Sequence, residues 1–486
     1  MQRTIWQALL ATTILGCLVL FFLSSSPYSQ SRLLHQQQAS VDQAYENDNE
    51  FFQWKSKSAY RHVTKGTAKN AHVEELCKFF PKEKLEHIQP VLKSGHGAMH
   101  RVREQLNSSA ACLDNLLIFS DMNEEVAGRA VIDTIADIPQ KLIDSDDQTL
   151  PYRRLKQYVI NGTLDEADEN KLPGWETDKF KFLPDISRAW RMSPDKKWYV
   201  FFEGDTYILW DTLFRLLEHF NPDIPHYFGS PSPGRDVMWF ANGGPGLILS
   251  RAAMQKLVQY DYTWRNMKYR GSKLAEKHWH ETLVNCCGDS ILGWALWEEA
   301  VKLEGLWPMF NPHPPHGVPF SELYWCQPVL SMHKPKDDTA ERLWRWEWRE
   351  RGVERPLLYR DLATSFYESF QSPSIRKDWD NADWDGFEPP KYQAAHASVE
   401  RCQEACTKHN LCMQWTYHLK RCWFVRSFRL GQAKGPRVED DRKDEKWLEE
   451  DKRYIAGWDT VKIKKWIEKR PCTEVQWVKP STKRIF

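Results

Sequence analysis

The chain has 486 residues, 41% of them hydrophobic, which is enough for a large buried core and, by length, two or three domains. Lys and Arg number 67 against 66 Asp and Glu, so no bulk charge exists to attract nucleic acid. The charged stretch 437–453 mixes both signs, which suits a solvated helical face rather than a polybasic binder.

From Thr4 to Leu23 no charged residue appears, close to the ~20 residues a membrane helix requires. Arg3 precedes the run and the next charge is Arg32, a distribution that keeps the N-terminus cytosolic. A cleaved signal peptide ending near Ser24–Ser26 is the competing reading, although its apolar core is normally about 7–15 residues. Both readings put the bulk of the chain in a secretory lumen. Residues 24–50 are Ser- and Gln-rich without apolar periodicity and read as a flexible stem, assigned to 26–70 between an anchor (1–25) and a globular domain (71–385). Asn107-Ser108-Ser109 and Asn161-Gly162-Thr163 are N-glycosylation sequons. Of eleven cysteines Cys17 lies in the apolar run, leaving an even number for disulfides in an oxidising lumen. Spacing does not give their pairing, and adjacent Cys286 and Cys287 are expected to have different partners.

Leu116-Leu117-Ile118-Phe119 is a short apolar strand ending in Ser120-Asp121, 131–160 reads as helical and 161–180 as a polar connection. Residues 198–202 form an apolar run that predicts a buried strand and stops at Glu203-Gly204-Asp205. A helical pattern begins at Thr206, with Trp210, Leu213, Phe214 and Leu217 on one face and Asn221-Pro222 at its end. His226–Gly229 opens another strand. Trp239-Phe240-Ala241 then meets a Gly-rich turn, 242–246, with a helix expected over 247–259. Strands alternating with helices imply a mixed or parallel α/β sheet. A composition break near 370–395 precedes a compact cysteine cluster, Cys402, Cys406, Cys412 and Cys422, assigned to a C-terminal module over 386–486. Trp344, Trp346 and Trp348 alternate, a spacing that does not decide between strand and helix.

Four groups in the α/β region bear chemistry. Glu203 and Asp205 follow a buried strand, where α/β sheets bind ligands and where paired carboxylates hold hard divalent cations; a capped turn is the plainer reading. The Gly-rich turn lets backbone approach a ligand, and a helix N-terminus after it favours anions; a tight connection is the alternative. Asp289 stands where an N-cap belongs, and a carboxylate at a helix start in a pocket also serves as a general base. His333 is a lone imidazole that can complete an oxygen-rich metal shell or simply pack.

Taken in order, the strand with its acidic triplet and Thr-Tyr, then YFG, FA-x-GG-x-G-x-x-x-SR, GDxxLG and WC-x-P-V-x-x-x-H resemble glycosyltransferase family 31, in its fringe-like and core 1 β1,3-galactosyltransferase branch. The resemblance runs from about Leu92 to about Trp348. It implies a GT-A (Rossmann-like) fold, a UDP-sugar donor, Mn²⁺ and inversion at the anomeric carbon. By position it implies that Asp205 and His333, with Glu203 secondary, bind the metal. Asp289 is implied as catalytic base, Ser120 and Asp121 as nucleotide contacts alongside Asp205, and Gly243 and Gly244 as lining of the donor–acceptor cleft. The chain departs from the family in lacking the middle carboxylate, since Gly204 stands there, and in carrying Asn242 and Pro245 in the turn.

Residues 398–423 resemble a PAN/Apple module, a small disulfide-stapled α+β unit that binds proteins or carbohydrates. That resemblance implies nested pairs, Cys402–Cys422 and Cys406–Cys412; a structural zinc site is the alternative, disfavoured by wide spacing and an oxidising lumen. The expectation is a single-pass type II Golgi transferase acting on a glycan or glycoprotein hydroxyl. A membrane-anchored binding protein that has lost catalysis and works through the C-terminal module is the alternative.

Overall fold

The computed structural model describes residues 50–164, 174–263, 265, 267–336, 338–367, 374–389, 393–438, 443 and 446–484. The apolar run Thr4–Leu23 and the stem up to residue 49 lie outside them, and no helix among the described residues is long and apolar enough to cross a membrane.

A mixed eight-stranded sheet organises the larger part of the chain. Its strands are β1 (Ile88–Lys93), β2 (Leu117–Ser120), β3 (Glu124–Val126), β4 (Arg129–Asp133) and β5 (Trp198–Glu203). After β6 (Thr206–Ile208), which leaves for a second sheet, come β7 (Tyr227–Pro233) and β8 (Trp239–Ser250). With Glu304–Gly305 at one edge, the order is that pair, then β7, β8, β5, β1, β2, β4 and β3. β1 runs parallel to β2 and β5, whereas β8 is antiparallel to both β5 and β7.

Alternation along the strands sends side chains into two separate cores. Trp198, Val200 and Phe202 of β5 join one, and Tyr199 and Phe201 join the other. Helices cover both faces. On the second face lie α3 (Phe182–Met192), α5 (Arg251–Val258) and α6 (Gly288–Glu298); α2 (Leu150–Asn161) contributes Tyr152 to the core there, and α1 (Met99–Leu106) serves the first face. The first face also takes α4 (Trp210–Leu217) and α7 (Thr339–Glu350), whose Trp344, Trp346 and Trp348 are all buried. The tryptophan alternation is therefore helical, and it serves packing.

A small sheet beside the main one pairs Phe310–Asn311, β9 (Ser331–His333) and β6. The C-terminal sheet orders β10 (Ile375–Lys377), β13 (Ile455–Trp458), β11 (Gln414–His418), β12 (Arg421–Val425) and Gly386–Phe387, all antiparallel. α8 (Val399–Lys408) packs on it through Cys402 and Cys406, and α9 (Thr460–Glu468) follows β13.

Several expectations change. Thr206–Ile208 is strand, not helix, because it pairs with β9; the helix starts at Trp210. Residues 131–133 belong to β4, and the helix α2 occupies only the end of the expected 131–160 span. Of the 161–180 connection, Asn161 ends α2 with Gly162 as its cap, and 174–180 is helical. The Gly-rich turn is part of β8: Gly229 faces Leu247 while Ser230 faces Asn242, so 243–246 stand out of the ladder as a bulge, with Gly246 at φ +83°. The following helix begins at Arg251, too far along to present its N-terminus to a ligand at the glycines. Among the described residues of 437–453 there is no helix.

Residues 50–70 are not a free linker, since Phe51–Phe52 pairs with Trp477–Val478 and the Lys65–Asn70 helix packs on α7. The C-terminal unit does not begin at 386 either, as Ile375–Lys377 already lies in its sheet. Cys286 and Cys287 bond to each other. The other cysteines among the described residues form Cys77–Cys112, Cys326–Cys472, Cys402–Cys422 and Cys406–Cys412.

Candidate active site

The carboxylates Glu203 and Asp205 are delivered by the end of β5, where an apolar strand can go no further without exposing itself. Thr206 ties the triplet down: its hydroxyl accepts from the Glu203 N–H at 3.0 Å and donates to the Gly244 carbonyl at 2.6 Å. On the far side β9 pairs with β6 so that His333 lies opposite Thr206, and the Lys334 N–H donates to the Asp205 carbonyl at 2.7 Å. Ligand atoms of Glu203, Asp205 and His333 consequently lie within 4.8 Å of one another. His333 Nε2 is 3.6 Å from Asp205 Oδ1. Two carboxylates and an imidazole are a donor set that fits a divalent cation such as Mn²⁺.

Glycine is needed at two points of the bulge. A Cβ on Gly244 would stand 2.3 Å from His333 Cε1, so the imidazole reaches the carboxylates only because none is there. A Cβ on Gly243 would meet Glu203 Oε1 and Phe182 at 3.2 Å and the Asp289 Cβ at 3.5 Å. Gly243 thus separates the acidic corner from Asp289 and lines both.

Asp289 is the second residue of α6, two past the N-cap, which is Cys287 and not the aspartate as expected. Its Oδ2 accepts from the Gly243 N–H at 2.9 Å and its Oδ1 from the Ser290 N–H at 2.8 Å. Burial pushes its carboxyl above the usual range in spite of those bonds. Burial also opposes ionisation of Asp205, but His333 and Arg101 outweigh it and hold that group below the usual range.

The cations here carry no sequence motif. Buried Lys93, opposite Glu203 in the β1–β5 register, places Nζ 3.0 Å from Glu203 Oε1 and 2.6 Å from Asp178 Oδ2, and 3.9 Å from the centre of the Phe182 ring. Burial alone would lower its pKa, but Asp178 and Glu203 more than reverse that, so it stays an ammonium. Arg101 of α1 donates from Nη1 to Asp205 Oδ2 at 2.9 Å. Neither basic residue is near its partner in sequence, and only their positions at the end of β1 and on the helix after it could have marked them.

Ser120 and Asp121, at the end of β2, are buried. Asp121 Oδ1 accepts from the His96 N–H at 2.8 Å and from Ser120 Oγ at 3.2 Å, and Oδ2 from Thr177 Oγ1 at 3.2 Å. Those bonds order the 94–96 loop. Lys181, which donates to the Ser94 carbonyl and pairs with Asp178, links that loop to the Lys93–Glu203 pair. The sequon side chains Asn107 and Asn161 are both exposed.

Residues 139–282 match the Fringe-like family model. The Fringe glycosyltransferase of Drosophila melanogaster is 32% identical over 79 residues, 13% of this chain and 19% of that protein. The chain therefore spans about a fifth of the length of the curated relative it matches. The matched segment contains Glu203, Asp205, Gly243 and Gly244; Ser120, Asp121, Asp289 and His333 lie outside it.

Proposed function

We propose that the protein is an inverting glycosyltransferase that transfers a hexose or N-acetylhexosamine from a UDP-sugar to a glycan or glycoprotein hydroxyl, forming a β1,3 linkage. The observation that carries this reading is the convergence of Glu203, Asp205 and His333 one glycine away from Asp289. In this reading Glu203, Asp205 and His333 would hold Mn²⁺, which would supply positive charge against the diphosphate.

Asp289 accepts the proton of the acceptor hydroxyl as that oxygen bonds to the anomeric carbon. The bond from that carbon to the diphosphate oxygen breaks on the opposite face, and UDP leaves with the electron pair. One displacement inverts the centre and requires no protein nucleophile. A buried aspartate suits the role, because its raised pKa makes it a stronger base than an exposed one. The Gly243 and Ser290 N–H groups fix the carboxylate while leaving each oxygen a free lone pair. Ser120 and Asp121 would order the loop against which the nucleotide rests. The apolar N-terminal run would anchor the chain in the Golgi membrane with the domain in the lumen, and the C-terminal unit, with its PAN/Apple-like cysteines, would engage acceptor or partner.

The test is UDP release by the full chain, purified in detergent, with Mn²⁺, a glycan acceptor and a panel of UDP-sugars. Turnover of a donor is expected, and Asp289→Asn should abolish transfer while UDP binding persists. Absence of turnover with every donor on folded protein overturns the enzyme and leaves a binding protein.

A further inference from the structure

We propose that Arg101 is a diphosphate-binding residue, giving the site an affinity for a nucleoside diphosphate that does not depend on a divalent cation. The inference deepens the nucleotide-sugar reading above and rests on it.

Gly204 is the first observation. A Cβ at this position would stand 3.1 Å from the Arg101 Cβ, so α1 can approach the acidic triplet this closely only because residue 204 has no side chain. Buried Gln105, one turn on, fastens the contact by donating from Nε2 to the Thr206 carbonyl at 2.6 Å and to the Gly204 carbonyl at 3.1 Å. The missing middle carboxylate and the close approach of Arg101 are therefore linked: the start of the arginine side chain lies where a side chain on residue 204 would begin.

The second observation is charge. Glu203 shares Lys93 with Asp178, which also pairs with Lys181, and Asp205 pairs with Arg101, so the three acids are balanced by three bases. A corner of that kind holds a cation less tightly than unpaired carboxylates do, and repels a diphosphate less. Geometry supplies the third. Arg101 has 48% of its side chain exposed, and its polar partner is Asp205 through Nη1, which leaves Nε and Nη2 to face an anion. A guanidinium presents its donors in a planar fork that matches phosphate oxygens two at a time, and such charge-assisted pairs are about twice as strong as neutral hydrogen bonds. Asp205 fixes the fork at the place where the diphosphate of the donor must lie if the acidic corner is its site.

Calorimetric titration of UDP into the full chain, in EDTA and separately in saturating Mn²⁺, tests this. Wild type should bind UDP in EDTA, Arg101→Gln should bind it about tenfold more weakly there, and Arg101→Lys, which keeps the charge without the fork, should fall between. Arg101→Gln should also bind Mn²⁺ more tightly than wild type in the absence of nucleotide, since Asp205 loses its competitor. Equal UDP affinities for wild type and Arg101→Gln in EDTA, or binding by wild type only with Mn²⁺, would overturn the role of Arg101 and leave the transferase reading standing. A wild type that binds no UDP in either buffer overturns both. Because the side chain is half in solvent, unchanged melting of Arg101→Gln is expected and separates lost binding from lost fold.

Discussion

Asp185 lies under the acidic corner with its Oδ1 accepting from Thr134 at 2.6 Å and its Oδ2 without a partner. Together with Lys93, Phe182, Glu203 and Gly243 it lines a pocket of about 20 Å³, room for one water. Burial pushes its carboxyl up to about 7, against the pull of the Thr134 hydroxyl. The folded chain thus holds this proton more tightly than the unfolded chain, whose aspartates titrate near ~3.9. The contribution to stability is full below about pH 4 and is lost as pH rises through about 7. Asp185→Asn imitates the neutral acid, so its melting temperature should exceed that of wild type by several degrees at pH 8 and match it at pH 4.5. Equal effects at both pH values would refute the assignment. At this scale Glu203 and Asp205 are legible in the sequence because a buried strand ends on them. His333 gains meaning only from the order of motifs, since its partners are 128 and more residues away along the chain. Lys93, Arg101 and Asp185 leave no local trace, because only the fold brings them beside the acidic corner.

The element that carries Asp289 is a short loop followed by α6, and it is held from both sides. Lys179 Nζ donates to the Leu283 carbonyl at 3.3 Å and to the Asn285 carbonyl at 3.1 Å, while Gly288 admits the Phe182 ring, which a Cβ would approach to 2.2 Å. Between these fixtures sits the Cys286–Cys287 bond, with both residues exposed. A cross-link between neighbours closes almost no chain loop and so contributes little through the unfolded state. Its effect is local, in limiting the conformations of the two residues that precede Gly288 and Asp289. The variant with both Cys286→Ser and Cys287→Ser should melt within about 2 °C of wild type, as expected for surface changes. Its kcat should nevertheless drop severalfold with the KM for donor unchanged, because Asp289 is no longer positioned. A parallel fall in melting temperature and in UDP binding would show the bond to be structural instead. Elements were legible where one periodicity dominated, as in β5 and α4. β8 was misread because its glycines, which usually punctuate, here let a strand bulge against His333 and Asp289. The helix expected at 247 failed for the same reason: Leu247 to Leu249 are apolar because β8 lies between β5 and β7, buried on both faces.

Over the whole molecule, the tail packs back on the first described strand. After α9 the tail bonds Cys472 to Cys326, pairs Trp477–Val478 with Phe51–Phe52, and donates from the Ser481 N–H to the Gly305 carbonyl at the edge of the main sheet. Phe428, Trp458, Ile463 and Trp477 belong to the same hydrophobic core as Phe202, Trp325 and Trp344. Trp325 makes edge contacts with Phe428 and Trp466, at centroid distances of 5.9 and 4.8 Å. Within the composition break near 370–395, Ile375–Lys377 and Gly386–Phe387 are strands of the C-terminal sheet, and one hydrophobic core includes residues from both sides of the break. Only the smaller cluster around Cys402, Cys406, Cys412 and Cys422 belongs to the C-terminal unit alone. Cutting the chain at 385 would strip Phe428, Trp458 and Trp477 from their neighbours, and a buried aromatic side chain lost to a cavity costs about 3–5 kcal/mol each. Three such losses rival the ~5–15 kcal/mol that holds a typical domain folded. A chain ending at 385 should therefore be aggregated or protease-sensitive, while the full chain unfolds in one calorimetric transition. The Cys326–Cys472 bond spans 146 residues, so the unfolded-state argument that gives the Cys286–Cys287 bond almost nothing gives this one about 5 kcal/mol at most. The variant with both Cys326→Ser and Cys472→Ser should lower the single transition by several degrees without splitting it. Two resolved transitions in either the wild type or that variant would mean that the larger and the C-terminal units fold independently, contrary to their shared core.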